Sequence, residues 1–138
     1  MNIIKSFDIA FKKKDERGWE KIYVVVDMHD TIIKADYNNT SFTFFPYAQE
    51  TLSLMSKRDD VVLILWSSSH DKQMLDYYYE LKKYDIQINW LNENPEERTN
   101  ELSKFDDKFY FNVGLDDKFG FEAEKDWKII YEYFQNKK

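Results

Sequence analysis

The sequence has no cysteine. That removes zinc–thiolate sites, thiol nucleophiles and disulfides together, and it agrees with a reducing compartment. Long apolar runs are missing too. The longest uninterrupted one is VVLILW at 61–66, far short of the ~20 residues of a membrane-spanning helix. Basic charge is not in excess: 20 Lys and Arg stand against 26 Asp and Glu, for a formal charge of -6. Nucleic-acid binding is therefore not indicated by net charge. The opening residues, MNIIKS, lack the apolar stretch and small-residue cleavage site of a signal peptide. No repeat, low-complexity stretch or linker interrupts the chain. The expectation is a soluble, cytoplasmic protein without a membrane partner.

What is present suits one compact domain over residues 1–138, with 43% hydrophobic residues including 4 Trp, 10 Tyr and 11 Phe. A core can be built without disulfides or a structural metal. Ile3, Ile4, Phe7, Ala10 and Phe11 recur at helical spacing, so residues 1–17 read as an N-terminal helical extension ended by Gly18. KIYVVVD at 21–27 and VVLILW at 61–66 are apolar without alternation, as in central strands covered on both faces. Residues 34–45 read as a loop or short hairpin. Pro46 is placed to open a helix running to the charged KRDD at 57–60.

SSSHD at 67–71 offers several N-caps for a helix over 72–83 with Met74, Leu75, Tyr78 and Leu81 inward. Tyr77, Tyr78 and Tyr79 read as a packed face with exposed hydroxyls. Residues 86–91 and 109–115 predict two more strands, with NENP at 92–95 and a short charged helix to about Lys104 between them. Trp127, Ile130, Tyr131 and Phe134 mark a last helix. Strands thus alternate with helices, the α/β pattern of a mainly parallel sheet wrapped on both sides.

Polar residues gather just past three strand ends: Asp27, His29, Asp30 and Thr31; Ser67 to His70; and Asp116 with Asp117. Ligands of parallel sheets bind beyond the carboxyl ends of the strands. Carboxylates collected there suit a hard cation such as Mg²⁺, and a hydroxyl with a lysine would complete a phosphate pocket.

VVVDMHDTI at 24–32, LILWS at 63–67 and VGLDD at 113–117, in that order and each on an apolar strand, resemble the first, second and fourth motifs of the haloacid dehalogenase (HAD) superfamily. LWS at 65–67, NENP at 92–95 and DDK at 116–118 add a likeness to its small, cap-poor (C0-type) phosphatases. The resemblance runs from about Tyr23 to Trp127. It implies a three-layer Rossmann-like HAD fold and a Mg²⁺-dependent phosphohydrolase working through an aspartyl phosphate.

In that likeness Asp27 is the nucleophile. The Asp27 carboxylate, the His29 carbonyl and Asp116 hold the metal, with Asp117 close by. Ser67 bonds a phosphoryl oxygen, and Thr31 and Ser68 join it in binding substrate. Lys108 is the first choice for the third-motif cation, before Lys104 and Arg98. The departure is His29, where active members usually have Asp to protonate the leaving group. Imidazole titrates near neutrality and can serve as acid and base.

Neither gap between motifs holds a substantial cap domain. An open pocket suits a phosphorylated small molecule or polymer end, with the aromatic loop at 37–47 as a small lid. The alternative is a catalytically impaired HAD-like binding or regulatory protein. A phosphate-receiving regulator on the same kind of sheet is a third reading.

Overall fold

The computed structural model of the chain describes residues 2–34, 42–97 and 109–138. Lys108, Lys104, Arg98, the charged helix expected up to Lys104 and the tip of the aromatic loop lie outside the described residues. Among the described residues four α-helices, α1 (Ile3–Arg17), α2 (Ala48–Ser56), α3 (Asp71–Lys83) and α4 (Ala123–Gln135), accompany four strands, β1 (Ile22–Asp27), β2 (Val61–Trp66), β3 (Trp90–Leu91) and β4 (Val113–Leu115).

The strands form one sheet in the order β3-β2-β1-β4, and every pairing is parallel. This is the expected α/β architecture of a Rossmann-like domain, and no large cap is inserted in it among the described residues. No helix among the described residues is long and apolar enough to cross a membrane.

Alternate residues of the central strands face two different layers. Val24, Val26, Leu63, Leu65, Val113 and Leu115 join the buried residues of all four helices in one cluster. Tyr23, Val25, Val62 and Ile64 face the other way, and there the described cover is Trp66, Trp90, Phe109, Tyr110 and Phe111. Burial on both faces explains why β1 and β2 read as continuous apolar runs.

The helix expected as an N-terminal extension belongs to the core: Ile3, Phe7, Ala10 and Phe11 are buried in the helical layer. Asn2 caps it by accepting from the N–H groups of Ile4 and Lys5, and Gly18 ends it at φ 69°. In α3, Met74 and Leu81 are buried as expected, but Leu75 is 48% exposed. Tyr77 packs against the core in its stead.

Two strands are shorter than the sequence predicts, and asparagine is the reason. The Asn89 N–H donates to the Leu63 carbonyl at 2.9 Å while its Oδ1 accepts from the Leu63 N–H at 2.8 Å. Asn112 repeats the arrangement on Tyr23, at 2.8 Å and 2.7 Å. In each case a side-chain amide replaces a backbone carbonyl of the ladder, so the segments before β3 and β4 are held to the sheet without being strand.

Gly114 lets Phe119 lie on β4: a Cβ there would sit 3.0 Å from the Phe119 ring and 3.3 Å from that of Phe111. Gly114→Ala is expected to cost about 1–2 kcal/mol, because Phe119 must swing outward. Thermal unfolding of the variant checks this.

Candidate functional site

In the order β3-β2-β1-β4 the chain moves outward from β1 through β2 to β3, then returns to the far side of β1 for β4. The direction reverses between β1 and β4. Such a switch point leaves a crevice beyond the strand ends, the usual ligand position in open α/β sheets. Asp27 ends β1, and Asp116 and Asp117 follow β4. The pairing of Val26 with Leu115 puts Asp116 level with Asp27 when continued by one residue. Oxygens of Asp27, Asp116 and Asp117 lie within 4.8 Å of one another.

The loop after β1 is wound tightly. The N–H groups of Ile32 and Ile33 both reach the Met28 carbonyl, and the Asp30 N–H donates to Ile33 O at 2.8 Å. Asp30 takes φ 61°, a left-handed conformation that Asp tolerates better than most residues. This turn buries Thr31 completely. The Thr31 hydroxyl accepts from the Asp117 N–H at 3.2 Å and lies 3.5 Å from Asp27 Oδ2, in position to donate to it. Full burial, with its hydroxyl bridging two loops, makes Thr31, which the resemblance places among the substrate-binding residues, a fastening between them. Its carbonyl accepts from the Trp127 indole at 2.7 Å in the core. Trp127→Phe strands that carbonyl and is expected to cost about 1–3 kcal/mol in thermal or denaturant unfolding.

Asp116 is buried, and each of its oxygens accepts an N–H bond: Oδ1 from the Lys118 backbone at 2.9 Å, Oδ2 from the Trp66 indole at 2.9 Å. Trp66 is the cross-strand partner of Asp27 on β2, whereas Asp116 lies beyond β1 on the other side. The indole therefore reaches across the end of β1 to Asp116.

Burial first, and the neighbouring Asp116 charge second, push the Asp27 carboxyl up to about 6. Asp117 is raised as well, by burial and then by its hydrogen bond to Asp116 and the Asp116 charge. Among the described residues none of the three forms an ion pair. Crowded carboxylates, all-oxygen and without a cationic partner among those residues, fit a hard divalent cation by the chemistry of the donor set.

The other expected site residues divide. Ser67 is half-buried one residue past β2. Its Oγ accepts from the Ser69 N–H at 3.2 Å and lies 3.0 Å from the Ser69 hydroxyl, so it does not cap α3, whose N-cap His70 has no side-chain bond. Ser68 is exposed. The His29 imidazole is not among the grouped ligand atoms. Its Nε2 lies 3.0 Å from the Tyr77 hydroxyl, and the two rings meet edge to face. The Tyr77 hydroxyl, read from the sequence as exposed, is thus a partner of His29.

The aromatic loop is not a lid in its described part. Phe42 and Phe44 pack on each other and on Tyr84, and Phe45 is buried in the core. Sequence reading missed Trp66, Tyr77 and Asn92 as parts of the site. A tryptophan on the last position of an apolar strand, beside a strand that ends in Asp, was the available signal for Trp66.

The class that fold and site define is a parallel-sheet α/β domain with an acidic cluster at its switch point. Among solved structures, one described as a conserved protein coded by a locus from Bacteroides thetaiotaomicron is similar to this chain. The two share 27% identity at a TM-score of 0.65, over 86% of this chain and 93% of that one. No protein-family model and no curated protein matches the sequence.

Proposed function

We propose that the chain is a Mg²⁺-dependent phosphohydrolase resembling the HAD superfamily, with Asp27 as nucleophile. The observation that carries this reading is the convergence of Asp27, Asp116 and Asp117 to within 4.8 Å at the switch point. The order and strand-end setting of the three motifs support it.

In this reading Asp27 Oδ attacks phosphorus, the bond from phosphorus to the leaving oxygen breaks, and an aspartyl phosphate forms. The leaving oxygen takes a proton from His29 in its imidazolium form, leaving neutral imidazole. A water then gives a proton back to His29 and attacks phosphorus, releasing inorganic phosphate and the Asp27 carboxylate. Tyr77 holds the imidazole, Ser67 donates to a phosphoryl oxygen, and Trp66 with the Lys118 N–H fixes Asp116. Asp27, Asp116 and Asp117 would hold a divalent cation, which would supply positive charge to keep Asp27 ionised and to offset the phosphate. The cationic side chain of the third motif is assigned first to Lys108. The partner is a phosphorylated small molecule or polymer end.

The test is Mg²⁺-dependent release of phosphate from a generic aryl phosphate, measured over a pH series. Multiple turnovers that vanish on chelation support the reading. One observation favours the second reading, a binding or regulatory protein: His29 replaces the usual acid and its Nε2 is already engaged by Tyr77. Metal and phosphate binding without turnover at any pH would select it.

A further inference from the structure

We infer that Asn92 is a positioning residue for Ser67, an assignment that rests on the reading of Ser67 as the phosphoryl-oxygen donor. β3 ends at Leu91, and the Asn92 N–H still follows the ladder, donating to Leu65 O at 2.8 Å. The backbone then turns left-handed at Asn92, with φ 53°. Asparagine enters that region at little cost.

From this turn the Asn92 side chain lies alongside Ser67. Its Oδ1 accepts from the Ser67 N–H at 2.8 Å, and its Nδ2 donates to the Ser67 carbonyl at 2.9 Å. One amide thereby ties both backbone polar groups of one residue, as a neighbouring strand would through two. The peptide planes on either side of Ser67 are fixed, and with them the direction of its Cα–Cβ bond. Rotation about that bond is the remaining freedom, and the Ser69 N–H restrains it through Ser67 Oγ. The Ser69 hydroxyl lies 3.0 Å from Ser67 Oγ; with Ser69 as the donor of that contact, Ser67 accepts from Ser69 twice and its own hydroxyl hydrogen is left to a phosphoryl oxygen.

A purely structural role is the competing account, and the molecule contains its own control. Asn112 also holds both backbone groups of one residue, Tyr23, but with its side-chain Oδ1 on the N–H and its own backbone N–H on the carbonyl, just before β4 and at the opposite end of the strands from the carboxylates. Losing Asn112 should cost stability alone. Losing Asn92 should cost positioning of Ser67, where misplacement by about 1 Å is worth about 10²-fold in rate.

The experiment compares the full chain with Asn92→Gly, which keeps the left-handed backbone, Asn92→Asp, which keeps the acceptor but not the donor, Ser67→Ala, Asn92→Gly/Ser67→Ala and Asn112→Ala. Steady-state kinetics on p-nitrophenyl phosphate with Mg²⁺ and inhibition by inorganic phosphate are the readouts. Asn92→Gly is expected to lower kcat/KM by about 10–10²-fold and to weaken inhibition by phosphate, with Asn92→Asp between it and the parent. In the Ser67→Ala background the same change is expected to do almost nothing, since groups acting through one another are non-additive. Asn112→Ala should lower the thermal midpoint and leave kcat/KM within about twofold.

Full activity in Asn92→Gly, an equal loss with and without Ser67, or an equal loss in Asn112→Ala overturns the assignment while leaving the phosphatase reading intact. A parent protein that neither hydrolyses the ester nor binds phosphate overturns both.

Discussion

Asp27→Asn is expected to lower Mg²⁺-dependent hydrolysis of an aryl phosphate by at least about 10³-fold and, without divalent cations, to make the protein more stable near pH 8. Both effects follow from one carboxylate. Its pKa is pushed up to about 6, by burial first and by the Asp116 charge second, so the folded state binds the proton more tightly than the unfolded chain does. Linkage fixes the sign: the folded state has its full stability below about pH 4, where both states hold the proton, and loses some as pH rises through about 6.

The gap between about 6 and an ordinary carboxylate near 4 corresponds to about 3 kcal/mol. Asp27 is only half-buried, and solvent screening reduces this to about 1–2 kcal/mol. An amide in that place carries no charge to repel Asp116. The midpoint of Asp27→Asn should exceed that of the parent by about 3–6 °C at pH 8, with the advantage gone near pH 4. A variant that keeps a tenth of the parent turnover, or that melts lower at pH 8, contradicts the assignment of Asp27 as a charged, strained nucleophile. The stability arm alone also separates the strained carboxylate from an ordinary turn-forming aspartate, which would gain nothing from neutralisation.

The sequence carried the middle of the fold better than its margins. β1 and β2 are legible because strands covered on both faces leave an apolar run that no solvent-facing residue interrupts. β3 and β4 are misjudged in length because pattern reading treats Asn89 and Asn112 as ordinary positions, whereas their side chains take over backbone bonds. A side chain that mimics a peptide leaves no trace in hydropathy.

The same holds at the site. Asp27, Asp116 and Asp117 announce themselves as acids ending apolar strands. The burial of Thr31 is not legible in the sequence, because it depends on the turn through Met28 and Asp30 and on the approach of Trp127, far along the chain. Tyr77 could be placed on a helix face from its spacing, yet its contact with His29 depends on how α3 meets the loop after β1. Contacts between elements are set by three-dimensional packing, and a periodicity within either element does not encode them.

Mg²⁺ is expected to stabilise the parent strongly. An ion bound only by the folded state adds about 2.7 kcal/mol when present at a hundredfold excess over its dissociation constant, or about 8 °C in midpoint for a domain of this size. The gain should disappear on chelation and in Asp116→Asn, which removes a carboxylate held in place by the Trp66 indole and the Lys118 N–H. It should shrink in Asp27→Asn, where a neutral amide oxygen replaces a charged ligand. The protein already carries the electrostatic cost of holding Asp27, Asp116 and Asp117 together, and the ion reverses it.

The proton and the ion compete for Asp27. With its carboxyl near 6, the apparent affinity for Mg²⁺ is expected to hold steady above about pH 7 and to fall by about tenfold per pH unit below about 6. Calorimetric titration at several pH values measures this, and the number of protons released should rise over the same interval. An affinity unchanged between pH 7 and pH 5 would place the ion away from Asp27, and the acidic cluster would then be a feature of the fold with no part in phosphoryl transfer.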